Sequence, residues 1–112
     1  MPYIKRDDGR REALQNGDPA LSAGELNYQM FYHIKHEIAT IANLYVFVKQ
    51  FLGAKPNYQR YNDMTGALIR CAKEVERRLN KKSYYLYQLM EYFDNEIAIY
   101  EDLKITENGD VE

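Results

Sequence analysis

Arg60, Arg70, Arg77 and Arg78, with Lys73 among them, are the most suggestive chemical groups in the chain. Arg70 and Arg77 are seven residues apart and Arg70 and Lys73 three apart, so on a helix these cations share roughly one face. Guanidinium forks bind phosphate bidentately and stack on planar groups. Asn62 and Asp63 stand near the start of the same segment. A carboxamide and a carboxylate there can read a base edge or a ribose hydroxyl. A charged outer face, with Glu74 and Arg78 paired at i,i+4, accounts for the same spacing. Both readings stay open at this level.

Catalytic chemistry is poorly represented. His33 and Glu37 lie at i and i+4, as metal ligands often do, but the spacing matches no zinc motif and Lys35 adds positive charge between them. Solvent-facing polar residues are the better reading, and no metal site is expected. Cys71 sits among Ala67, Leu68 and Ala72 with no histidine nearby in sequence, which suits a buried thiol better than a nucleophile. There is no phosphate loop after a strand and no nucleophile elbow. Neighbouring acids such as Glu74 with Glu76, and Glu101 with Asp102, read as helix-surface residues. The expectation is a protein that binds without catalysis and without a cofactor.

The elements that would carry these groups are helices. Residues 1–21 show no sustained period and hold two turn-forming clusters, so they read as an irregular arm with at most a short helical turn, ordered only if it packs on something. Ser22-Ala23-Gly24-Glu25 has the form of a capping box, and the spacing predicts one helix over 22–52. Its seam of Phe31, Ile34, Ile38, Ile41, Tyr45, Val48 and Leu52 steps by 3 and 4 throughout. Gly53 and Pro56 end it, and Asn57 caps a second helix over 57–79. Gly66 inside that helix costs about 1 kcal/mol relative to Ala, which asks for a packing or binding reason. A third helix is expected over 83–102, capped by Ser83, although one long helix from 57 to 102 fits the same seam. Leu103 and Ile105 alternate with polar residues, so 103–112 reads as a short extended tail ending in an Asn108-Gly109 turn.

Composition bounds what this architecture can be. The 112 residues are 46% hydrophobic and 29% charged, with 6 Gly and 3 Pro, as in a single globular domain. The fold class expected is all-α: an antiparallel bundle of two or three long helices. Two long seams give more apolar surface than one copy can comfortably bury, so a homo-oligomer, a dimer or a multiple of dimers, is expected. A net charge of −2 offers no general basic field, so double-stranded nucleic acid is not an expected partner. Neither is a membrane, since no apolar run approaches the ~18 residues of a span. One cysteine and no apolar leader segment favour the cytoplasm. The 11 Tyr, against 4 Phe and no Trp, suit partly wet seams or the stacking of planar ligands.

Several phrases occur in order along nearly the whole chain: Met1-Pro2-Tyr3-Ile4, Gly24-Glu25-Leu26-Asn27-Tyr28, Asn57-Tyr58 with Asn62-Asp63, Gly66-Ala67-Leu68, Ala72-Lys73-Glu74, Arg77-Arg78, Tyr100-Glu101-Asp102 and Glu107-Asn108-Gly109-Asp110-Val111. Together they resemble a family of small phage and prophage proteins that mostly carry no assigned function. That family is in turn similar to the phage anti-Thoeris sponges, helical oligomers that sequester cyclic ADP-ribose isomers and in some cases cyclic oligonucleotides. The resemblance implies capture of a bacterial immune signal without turnover, in the cytoplasm of an infected host. By motif position it implies Asn62, Asp63, Arg77 and Arg78 as ligand contacts. Helix geometry adds Phe51, Tyr58 and Arg70. In that family the Arg-Arg pair is followed almost directly by the Tyr-Glu-Asp phrase. Here Leu79 to Ile99 intervene, a segment that could extend an oligomer interface, cover the pocket or replace its specificity.

Overall fold

Residues 4–5, 9–55 and 57–110 are described by a computed structural model. They form five helices: α1 (Gly9–Gln15), α2 (Ala23–Lys35), α3 (Ile41–Leu52), α4 (Tyr58–Leu79) and α5 (Tyr84–Asn108). Among the described residues there is no strand, as the all-helical reading requires.

Three expected boundaries are corrected. The segment 22–52 is not one helix but two, because the chain reverses at 36–40. Glu37 adopts a left-handed conformation at φ 59°, and the backbone N–H groups of Ile38 and Ala39 both donate to the carbonyl of His33. Thr40 then starts α3 with a reciprocal capping box. Its hydroxyl accepts from the Asn43 N–H, and the Asn43 carboxamide accepts from the Thr40 N–H. Ile38 and Ile41, counted into one seam, are 51% and 39% exposed at this corner. The reversal lets α3 fold back and cover both α2 and α4, which one straight helix could not do within a single copy.

The second correction is the tail. α5 runs on to Asn108, tied by Thr106 Oγ1 to the Asp102 carbonyl and by Lys104 to Glu107. Asn108-Gly109 is therefore a helix terminus, with Gly109 at φ 86° and its N–H on the Ile105 carbonyl. The third is the arm, which contains the two turns of α1. Leu14 is fully buried there, and the Gln29 carboxamide donates to the carbonyls of Leu14 and Asp18. The break before Ser83 is present, with Asn80 left-handed at φ 52°. Residues 111–112 of the expected tail lie outside the described residues, as do 1–3 and 6–8 of the arm.

The bundle is built around α2 and α4, whose contact is the most extensive. They run in the same direction: Asn27 faces the 62–70 stretch of α4, and the Arg78 guanidinium lies 4.8 Å from the Phe31 ring. α3 and α5 run the other way beside each other, joined by Tyr45 against Tyr92 and by Lys49 with Glu96 at 3.4 Å. Phe51, Tyr61 and Phe93 belong to the buried core these helices share. α4 carries small buried side chains, Ala67, Cys71 and Ala72, and Ala67 lies against the start of α2. Burial pushes the Cys71 thiol well above its ordinary pKa, leaving it neutral and unreactive.

Candidate functional site

The first turns of α2 and the first half of α4 flank an open cleft of about 300 Å³. Ala23, Gly24 and Asn27 line it from α2; Asn62, Asp63, Gly66, Ala67 and Arg70 line it from α4. α2 is started here by Ser22, whose hydroxyl accepts the Glu25 N–H. The Glu25 carboxylate does not complete a capping box with Ser22. It takes the Leu21 N–H and two donors from Arg10, at 3.0 and 2.7 Å, which clamps α1 beside the cleft. The Arg10 hydrogen bonds hold the Glu25 carboxyl below its ordinary pKa. α4 is started by Asn57, whose side chain accepts the Arg60 N–H.

Three of the seven residues expected to touch a ligand, Asn62, Asp63 and Arg70, meet in this one cleft. Gln59 donates to one Asp63 carboxylate oxygen at 2.9 Å. Gly66 opens onto the same space, and a Cβ built there meets nothing within 4 Å. Its lack of a side chain therefore serves no packing contact in the fold; it leaves the cleft wide.

The other four lie elsewhere. Arg77 continues the line of Asp63 and Arg70 at seven-residue spacing, but its guanidinium holds the buried carboxylate of Glu74 at 2.8 Å. Arg78 caps the Phe31 ring. Phe51 is 2% exposed, with Arg60 stacked 5.0 Å from its ring, so it belongs to the core. Tyr58 is 63% exposed and faces a separate depression with Tyr100, Lys104 and Ile105 at the far end of α5.

Asn27 is the site residue that the sequence reading passed over. It is 1% exposed, and neither Oδ1 nor Nδ2 has a hydrogen-bond partner. Leaving a buried amide unsatisfied costs about 1–3 kcal/mol. A signal was available: Asn27 stands where the Phe31–Ile34 seam, carried back one turn, calls for an apolar side chain. The His33 and Glu37 pair does not converge. His33 is buried with Nδ1 against the Gln29 carbonyl at 2.8 Å, and Glu37 lies beyond the helix end. Among the described residues no group of three or more His, Cys, Asp and Glu is placed to hold a metal ion. No helix there is long and apolar enough to cross a membrane.

A four-helix body strapped by α1 defines a small helical bundle. The polar cleft of small and amide residues between α2 and α4 is the depression that gathers three of the expected binding residues; others lie at Ile34 and Tyr85 and at the end of α5. The chain belongs to the family described as a domain of unknown function, DUF6899, whose model matches residues 1–111. No curated protein and no solved structure matches it significantly.

Proposed function

We propose that this protein binds and sequesters a small nucleotide-type ligand in the α2–α4 cleft, without turning it over. The observation that carries the reading is the convergence of Asn62, Asp63 and Arg70 on one open cleft, beside a buried carboxamide that has no other partner. Arg70 is exposed and can present a guanidinium fork to a phosphate, while the Asp63 carboxylate can accept a ribose hydroxyl. The volume is at the lower end of small-molecule sites. Residues that hold a ligand but include no base paired with a nucleophile suit capture better than reaction. With the resemblance to phage sponges, this supports cyclic ADP-ribose isomers or cyclic oligonucleotides as the ligand class. The setting is then the cytoplasm of an infected bacterium, and the effect is immune evasion.

The reading is tested by thermal shift against cyclic ADP-ribose isomers and cyclic di- and trinucleotides. A ligand at 100 times its dissociation constant adds about 2.7 kcal/mol of stability. The expected result is a selective rise in melting temperature, with intact ligand recovered after denaturation. A flat panel, or recovery of a cleaved product, overturns it.

A second reading is favoured by α5. Tyr85, Tyr92, Ile99 and Leu103 lie exposed on one side of that helix, a stripe suited to another protein or to a second copy in a homo-oligomer. It gains if the ligand panel is flat while the protein co-purifies with a stable partner.

A further inference from the structure

We infer that Asn27 is the specificity-determining residue of the α2–α4 cleft, and that it selects a ligand carrying a nucleobase-like edge, a donor beside an acceptor on a planar ring. The inference rests on the ligand-binding reading above and adds which part of the ligand the cleft reads. Both polar atoms of the Asn27 carboxamide are buried and unpartnered at the cleft wall. A carboxamide offers one acceptor and two donors in a plane. The group that satisfies both ends at once is a planar edge with the opposite pattern, as the N6–H and N7 of adenine supply to Asn or Gln. A fully ionised phosphate cannot do this, because its oxygens only accept. A vicinal diol can both donate and accept, and a ribose 5-phosphate probe separates it from a base edge.

The walls agree with a flat guest. Gly24 on α2 and Gly66 on α4 bring no side chains into the cleft, and the space beside Gly66 is open. For a ring edge to meet the Asn27 amide, whose polar atoms are closed to solvent in the unliganded protein, α2 and α4 part slightly at this end, leaving Arg70 and Asp63 for the phosphate and ribose the ring carries. No aromatic side chain lines the cleft among the described residues, so hydrogen bonding at the ring edge, and not stacking, is what discriminates. The unsatisfied carboxamide also has a consequence in the unliganded protein. Replacing it by a side chain of similar size without polar atoms removes a destabilising feature.

The experiment uses the full chain labelled with ¹⁵N, and two probes, adenosine and ribose 5-phosphate. The Asn27 side-chain NH₂ signals are assigned by their loss in Asn27→Leu. Adenosine is expected to move those signals, and Asn27→Leu to weaken adenosine binding tenfold or more. Ribose 5-phosphate, held through Arg70, is expected to bind both proteins alike. Unliganded Asn27→Leu is expected to melt at a higher temperature than the wild type. Should that variant fail to fold, Asn27→Asp keeps the size and removes the donors, and the same loss of adenosine binding is expected. If ribose 5-phosphate perturbs the cleft while adenosine leaves the Asn27 signals unmoved, the inference is overturned and the capture of a phosphate ligand survives. If neither probe perturbs the cleft, Asn27 answers to water alone, and the inference falls together with the choice of this cleft as the site.

Discussion

The α2–α4 pair and the α3–α5 pair are joined in opposite ways. α2 and α4 meet beside a small side chain, Ala67, and leave the Asn27 carboxamide buried without a partner. α3 and α5 meet over rings: Tyr45 stacks on Phe93 at 5.7 Å and meets Tyr92 edge-on at 5.5 Å, with the two hydroxyls 3.5 Å apart. One pair keeps the hydrogen-bonding capacity of a whole carboxamide unused inside. The other fills its gap with aromatic area and brings the Tyr45 and Tyr92 hydroxyls together at the surface, with Glu96 Oε2 beside Lys49 as its own unpartnered buried atom. Under the proposed function the contrast separates two tasks: the ring layer supplies stability, and the α2–α4 layer gives some up to keep a cleft open.

The largest expected effect belongs to the ring layer. Phe93 is 1% exposed beneath Tyr45 and Tyr92. Phe93→Ala is expected to cost about 3–5 kcal/mol in a urea titration. A loss under about 1 kcal/mol would mean that α5 is not anchored by its rings, and the contrast would fail. Next comes the cleft. Arg70→Ala is expected to leave the urea midpoint within about 0.5 kcal/mol, since exposed substitutions rarely matter more. Under the proposed function it removes a charge-assisted contact of about 1.5–3 kcal/mol, or tenfold or more in ligand affinity by calorimetry. Loss of stability without loss of affinity would place Arg70 with the scaffold.

The same division decides what was legible in the sequence. Helical periodicity marks which residues face inward, so the class and the start of α4 are legible, whereas the seam stays in phase through the break before Ser83 and leaves one helix or two open. It does not say what the inward face packs against. Ile38 and Ile41 keep the 3-and-4 spacing of the seam, yet the chain turns between them, and neither Gly nor Pro marks the place. The signal there is Thr40-Ile41-Ala42-Asn43, a capping box in which Asn takes the place usually held by Glu or Gln. Leu103 and Ile105 alternate as in a strand because α5 outruns the bundle there, and neither is buried on a core face. For the candidate site, residue type and spacing single out Asn62, Asp63 and Arg70, which share one helix and line one cleft. Asn27 escaped because its role arises from α2 lying against α4, a tertiary fact.

Gly66 sharpens the contrast at a smaller scale. In a helix interior Gly is less stable than Ala by about 1 kcal/mol, and here a methyl group meets nothing. Gly66→Ala is therefore expected to raise stability by up to about 1 kcal/mol while narrowing the cleft. Under the proposed function it weakens ligand binding at the same time. A variant more stable and equally able to bind would show that the open space is not used.

The smallest effect concerns pH, and the two layers respond at opposite ends of the scale. The Arg10 hydrogen bonds lower the Glu25 pKa, so the stability they contribute is present above the ordinary value of 4.5 and is lost as pH falls below it toward the folded-state pKa. Tyr92 is shifted the other way, chiefly by its hydrogen bond to Tyr45, so its contribution is present below pH 10.0 and is lost as pH rises beyond that. Acid should thus loosen the α1 clamp beside the cleft before it disturbs the ring layer, and alkali should act first on α3 and α5. The partly exposed Arg10–Glu25 pair is expected to contribute about 1 kcal/mol or less. The check is a set of urea midpoints across pH for the wild type and Glu25→Gln. Their difference should be constant above pH 4.5 and should shrink as the carboxylate protonates. A difference that persists unchanged in acid would mean that Glu25 fastens α1 by shape and not by charge, and that α1 stays clamped beside the cleft at every pH.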